Sequence, residues 1–64
     1  MNVETIANRV RAEFEEMPGM MLTMLEASRL FGLEEAMCRT IVDRLVGAAY
    51  LRRTENGAVT RAVR

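Results

Sequence analysis

The stretch Leu22–Leu33, LTMLEASRLFGL, decides how this chain is read. Within it, Thr23-Met24-Leu25-Glu26 has the form of a capping box. The Thr23 hydroxyl can accept from the Glu26 amide, and the Glu26 carboxylate can reach back to the Thr23 amide, so two unpaired backbone donors are satisfied at once. A helix is therefore expected from Met24 to Phe31. Gly32 is expected to stop it, because glycine enters the left-handed conformation without a Cβ penalty. About two and a half turns fit between these marks, too few to stand alone in water, so packing must hold the helix.

Working outward, Val3, Ile6, Ala7, Val10, Phe14 and Met17 recur at three- and four-residue steps and predict the apolar face of a helix over 2–17. Asn2 can cap its start, Pro18-Gly19 ends it, and Glu4, Asn8, Arg11 and Glu15 fall on the polar side. Downstream, Met37, Cys38, Ile41, Val42 and Leu45 supply the buried stripe of a third helix over 34–46, which Gly47 is expected to end. Glu35, Ala36, Arg39, Thr40, Asp43 and Arg44 are left outside. Tyr50 to Thr54 then reads as a strand, Asn56-Gly57 as a two-residue type I′ turn, and Ala58 to Val63 as the returning strand. The expected fold is mainly α with a C-terminal β-hairpin, one domain over residues 1–64.

Composition fits a small globular domain. Half of the 64 residues are apolar and 28% are charged. A chain this short buries only about 60% of the surface its unfolded form exposes, which leaves no room for a two-lobed enzyme with a deep cleft. Nine arginines balance nine carboxylates, so a uniformly basic nucleic-acid coat is excluded. Lysine is absent, so every side-chain cation is a planar donor fork suited to phosphate or carboxylate. One cysteine and no histidine give neither an intramolecular disulfide nor a metal framework, and a reducing cytoplasm is the expected compartment. Met1 to Thr5 lacks the basic start of a targeting peptide, and no apolar run approaches the roughly 20 residues of a membrane span.

Ser28 and Gly32 stand four apart, with Leu33 next, and Cys38 and Ile41 follow the glycine by six and nine residues. This spacing resembles the helix-turn-helix pattern: a small residue for close approach, a glycine for the turn, and apolar positions that lock the second helix down. With CRTIVDRLVGAAYLRRTENG after it, the stretch from Leu22 to Gly57 resembles a winged helix-turn-helix domain of the kind found in small bacterial transcription regulators. Ser28 departs from the commoner alanine but is small enough to fit. The resemblance implies a third helix lying in the DNA major groove, with Glu35, Ala36, Arg39 and Thr40 facing bases and Arg44 one turn on. Arg39 would pair with guanine, and Thr40 would meet a phosphate or a thymine methyl. A competing reading makes Glu35, Arg39 and Asp43 a surface ion-pair ladder at four-residue spacing.

The hairpin carries a sharper expectation. A two-residue turn at Asn56-Gly57 sets Arg53 opposite Thr60 and Arg52 opposite Arg61, where like charges destabilise unless a polyanion lies between them. Arg52, Arg53 and Arg61 are therefore expected to contact the DNA backbone as one exposed cluster. Residues 1–35 hold three arginines and seven glutamates, a balance of −4, and residues 36–64 hold six arginines and two acids, a balance of +4. The positive half contains the expected reading helix and wing. Glu34 and Glu35 suit the start of that helix electrostatically but repel phosphate.

Other constellations are weak. Adjacent glutamates diverge on helices and form no acid–base pair, Cys38 lies on a buried stripe with nothing to activate it, and the six methionines read as gap-fillers or as a soft binding surface. No catalytic residue, cofactor or metal is expected. The leading expectation is a DNA-binding regulator acting as a homodimer on duplex DNA. The alternative is a protein-interaction or dimerisation module, which would show an exposed apolar patch in place of an arginine cluster.

Overall fold

Asn2 opens the first helix with its side-chain carbonyl, which accepts from the Glu4 amide at 2.8 Å and so satisfies one of the four unpaired donors of the first turn. The computed structural model describes residues 2–62. The first helix, α1, spans Val3–Glu16 and buries Ile6, Ala7, Val10 and Phe14. Met17, expected on that apolar stripe, instead caps the helix end and is 58% exposed, because the chain turns away at Pro18-Gly19. A strand absent from the sequence reading follows: β1, Met21–Thr23. Then come α2 at Met24–Phe31, α3 at Glu35–Gly47, β2 at Leu51–Arg53 and β3 at Ala58–Arg61. Among the described residues, the chain is three helices and one three-stranded antiparallel sheet, mainly helical, with a C-terminal hairpin. The returning strand was expected to reach Val63, which lies outside the described residues, as does Arg64.

Both arms of the capping box form: Glu26 N–H donates to Thr23 Oγ1 at 3.1 Å, and Thr23 N–H donates to Glu26 Oε1 at 2.9 Å. Helix α2 ends at Gly32, which takes φ +66°. Helix α3 runs on through Gly47, which was expected to stop it, and the left-handed residue that turns the chain is Ala49, at φ +62°. One core joins the helices to the sheet through Phe14, Phe31, Ile41, Val42, Leu45, Leu51 and Val59, all nearly sealed from solvent. Each large apolar side chain buried in this way contributes about 1.5–3 kcal/mol, and without disulfides the domain depends on that sum. Met20, Met24 and Met37 pack against the core from its margin, as gap-fillers do.

In the sheet, β3 lies between β1 and β2. Its hairpin with β2 has a different register from the one the Asn-Gly turn suggested. Leu51 faces Arg61, Arg52 faces Thr60 and Arg53 faces Val59. The loop is Glu55-Asn56-Gly57, with Gly57 N–H donating to Thr54 O at 3.0 Å, Thr54 N–H donating to Ala58 O at 2.8 Å and Gly57 alone at positive φ. Burial explains the slip. Leu51 and Val59 are both sealed in the core, and side chains alternate between faces along a strand. The expected register would have sent them to opposite faces, whereas the observed one puts both inside. Thr54 assists, since its hydroxyl accepts from the Ala58 amide at 3.1 Å.

Candidate nucleic-acid interface

The outward side of α3 carries Glu35, Ala36, Arg39, Thr40, Asp43 and Arg44, and all six are exposed. They lie there because Cys38, Ile41, Val42 and Leu45 take the opposite side of the helix into the core. Their chemistry is already partly engaged. Arg39 meets Glu35 one turn back at 3.4 Å, so half of the expected ladder forms. The other half does not, because Asp43 pairs with Arg53 of β2. Arg44 reaches across to Glu4 at the start of α1. The Thr40 hydroxyl donates to the Ala36 carbonyl at 3.1 Å, which leaves its oxygen lone pairs as the group it offers outward.

The three hairpin arginines do not form a cluster. Arg61 stands opposite Leu51, so it shares the inner face with Leu51, Val59 and Arg53, while Arg52 shares the outer face with Thr60. The expected like-charge pair of Arg52 and Arg61 is thus absent; a sheet lies between them. Arg53 turns to Asp43 of α3. Arg61 stacks on the Tyr50 ring, 4.9 Å from its centroid, and its outer nitrogen lies 3.5 Å from Glu15. Its Nε is buried without a hydrogen-bond partner among the described residues, so the negative face of the ring is its compensation. Arg52 is exposed and makes no ion pair among the described residues.

Tyr50 is the centre of this arrangement, and the sequence reading had given it no role beyond starting a strand. Its hydroxyl donates to Glu15 Oε2 at 2.6 Å and also lies 3.2 Å from the Arg11 carbonyl, while the Arg11 guanidinium sits 5.6 Å from the ring. Desolvation raises the pKa of the phenol, and the hydrogen bond to Glu15 raises it further. The chain's single tyrosine beside a run of arginines was the available signal, but nothing local pointed to its partners on α1.

Five arginines therefore lie on α3 and the hairpin within the described residues, and four are in ion pairs, with Glu35, Glu4, Asp43 and Glu15. The charge split along the sequence is largely closed in space, because Glu4 and Glu15 come from the acidic half. Such exposed pairs contribute about 0–1 kcal/mol each and exchange readily. Elsewhere, Met17, Met21, Leu25 and Leu30 are each more than half exposed. Cys38 is sealed, with its Sγ 3.8 Å from Met24 Sδ, and burial followed by the nearby Glu35 pushes its pKa up. Among the described residues there is no grouping of side chains able to hold a metal ion, and no helix is long and apolar enough to cross a membrane.

No protein-family model matches the chain, and neither a curated protein nor a solved structure does.

Proposed function

We propose that this chain is a winged helix-turn-helix domain that binds duplex DNA in transcription regulation, with α3 in the major groove and the hairpin beside the backbone. The observation that carries this reading is the exposed outer side of α3, set within the element order α1-β1-α2-α3-β2-β3 and the strand order β1-β3-β2. Thirteen residues of helix span about 20 Å, and the major groove, about 12 Å wide, admits an α-helix. Glu35, Ala36, Arg39, Thr40 and Arg44 supply the groups that would meet bases and flanking phosphates. Arg52 is the hairpin cation free for phosphate. Arg53 reaches it only by leaving Asp43, and Arg61 is structural first. One module of this size offers roughly 600–1,000 Å² of interface, so a homodimer on two half-sites supplies the rest. A buried, unpaired thiol fits a reducing cytoplasm.

Fluorescence anisotropy with a mixed-sequence duplex tests this, starting at low salt. Binding should fall log-linearly with salt, with a slope corresponding to about three to five phosphate contacts at about 0.9 each. No binding at the lowest salt would refute the reading. Arg52→Ala should weaken binding to all sequences alike with the melting temperature unchanged, whereas Arg39→Ala should relax sequence preference.

A second reading, a protein-docking module, is favoured by the exposure of Met17, Met21, Leu25 and Leu30 at 52–58%. Replacing Met21 and Leu25 by glutamine leaves duplex binding intact under the first reading and abolishes partner capture under the second.

A further inference from the structure

Arg44 and Arg53 flank the outer side of α3, and each is held by a carboxylate of this chain: Arg44 by Glu4 from α1, and Arg53 by Asp43 from α3 itself. All four side chains are about half exposed, between 45% and 56%. A carboxylate and a phosphate offer a guanidinium the same geometry, two oxygens matched to two N–H groups. We propose that Glu4 and Asp43 make autoinhibitory contacts, occupying the place of DNA phosphates on Arg44 and Arg53 and so setting the overall affinity for duplex. This inference rests on the duplex-binding reading above.

The physical consequence is a uniform weakening. When DNA docks, each arginine exchanges one oxyanion for another, so the pair gains little. The displaced carboxylate stays within a few ångströms of a phosphate and repels it. That cost falls on every sequence alike, because phosphates carry no sequence information. Hydrogen bonds that Arg39 donates to base edges and that Thr40 Oγ1 accepts from them do not involve Glu4 or Asp43 and are left unchanged by these two carboxylates. Glu4 and Asp43 therefore lower affinity for every duplex by the same factor, leave the ratio of specific to non-specific binding unchanged, and set how much of the protein stays on non-specific DNA at a given salt.

The test uses the intact chain, a mixed-sequence duplex and three variants. Glu4→Gln and Asp43→Asn should each tighten binding by up to about 5-fold at low salt, the range expected when an exposed ion pair is released. Each should also steepen the salt slope by about 0.9, because the displaced wild-type carboxylate takes up a cation that offsets the one its arginine releases from the phosphate. Glu16→Gln removes the same formal charge from an exposed position that makes no ion pair among the described residues, and should leave affinity within about 2-fold. Equal gains from Glu16→Gln and the other two would overturn the proposal in favour of net charge alone. Binding by the wild type with no gain in either variant overturns it and leaves the duplex-binding reading standing. Failure of all four proteins to bind removes that reading and this inference together. Thermal melting checks each variant, and Glu4 and Asp43 sit on different helices, so either reports if the other variant does not fold.

Discussion

Helices α2 and α3 end on the same backbone bonds and on different residues. After α2, Gly32 N–H donates to Arg29 O and Leu33 N–H to Ser28 O; after α3, Ala49 N–H donates to Val46 O and Tyr50 N–H to Leu45 O. Both are the paired closure in which a left-handed residue folds the chain back over the last carbonyls. Gly32 takes φ +66° at no steric cost, while Ala49 takes φ +62° against a penalty of about 1–2 kcal/mol. The first stop is written locally, in the residue itself. The second is imposed from outside, because Tyr50 follows Ala49 and is anchored through its hydroxyl to Glu15 and through its ring to Arg11 and Arg61. Strain at one residue persists when its neighbour's contacts over-determine the path.

The comparison breaks first at Tyr50. Tyr50→Ala removes the ring, the Glu15 bond and the stack under Arg61, and should destabilise the domain by about 2 kcal/mol, a drop of roughly 10 °C in melting temperature. A loss no larger than that of an ordinary surface substitution would mean that Ala49 is not held by its neighbour. Gly32→Ala comes next, at about 1–2 kcal/mol; a Cβ there meets nothing within 4 Å, so the whole cost is backbone conformation. Ala49→Gly should act in the opposite direction and stabilise by about 0.5–1 kcal/mol, the relief of strain less the entropy of the added glycine. The sharper form is a double-mutant cycle. With Tyr50 already alanine, the gain from Ala49→Gly should shrink, because the chain is no longer forced left-handed; strictly additive effects would show the two positions to be independent.

The smallest effect is on pH. The Tyr50 pKa lies above the usual value near 10 because burial and then Glu15 disfavour the phenolate. The stabilisation tied to the neutral phenol is therefore complete below that value and is lost as pH rises through the raised one. Cys38 works in the same direction, through burial first and Glu35 second. Alkaline melting curves should show a loss of stability that is reduced, not abolished, in Tyr50→Phe. An identical loss in the variant would assign the whole effect elsewhere.

The same contrast separates what the sequence disclosed from what it hid. Thr23 and Glu26, Gly32, Asn2 and the apolar stripes of three helices act over three or four residues, so their structure can be read where they stand. The short strand β1 could not be seen, because Met21-Leu22-Thr23 becomes a strand only by pairing with residues 58–60. The hairpin register was misread because an Asn-Gly pair is a local signal, and the burial of Leu51 and Val59 overrode it. At the candidate interface, the outward residues of α3 follow from helical period alone, and they stand where the period puts them. Their partners do not follow: Glu4 for Arg44, Asp43 for Arg53 and Glu15 for Arg61 are set by how helices and hairpin dock. A sum of charges over halves of the chain therefore suggested a basic face that the fold largely neutralises.

The position of β3 has a consequence for how the domain is made. Its neighbours β1 and β2 both precede it along the chain, so a ribosome delivers the two outer strands before the strand that joins them. Until Ala58–Arg61 emerge, β1 and β2 share no hydrogen-bonding partner and Leu51 has no Val59 beside it. A chain halted before residue 58 lacks the one strand with which both β1 and β2 pair, so it can form none of the sheet, and its core lies open on the side that β3 closes.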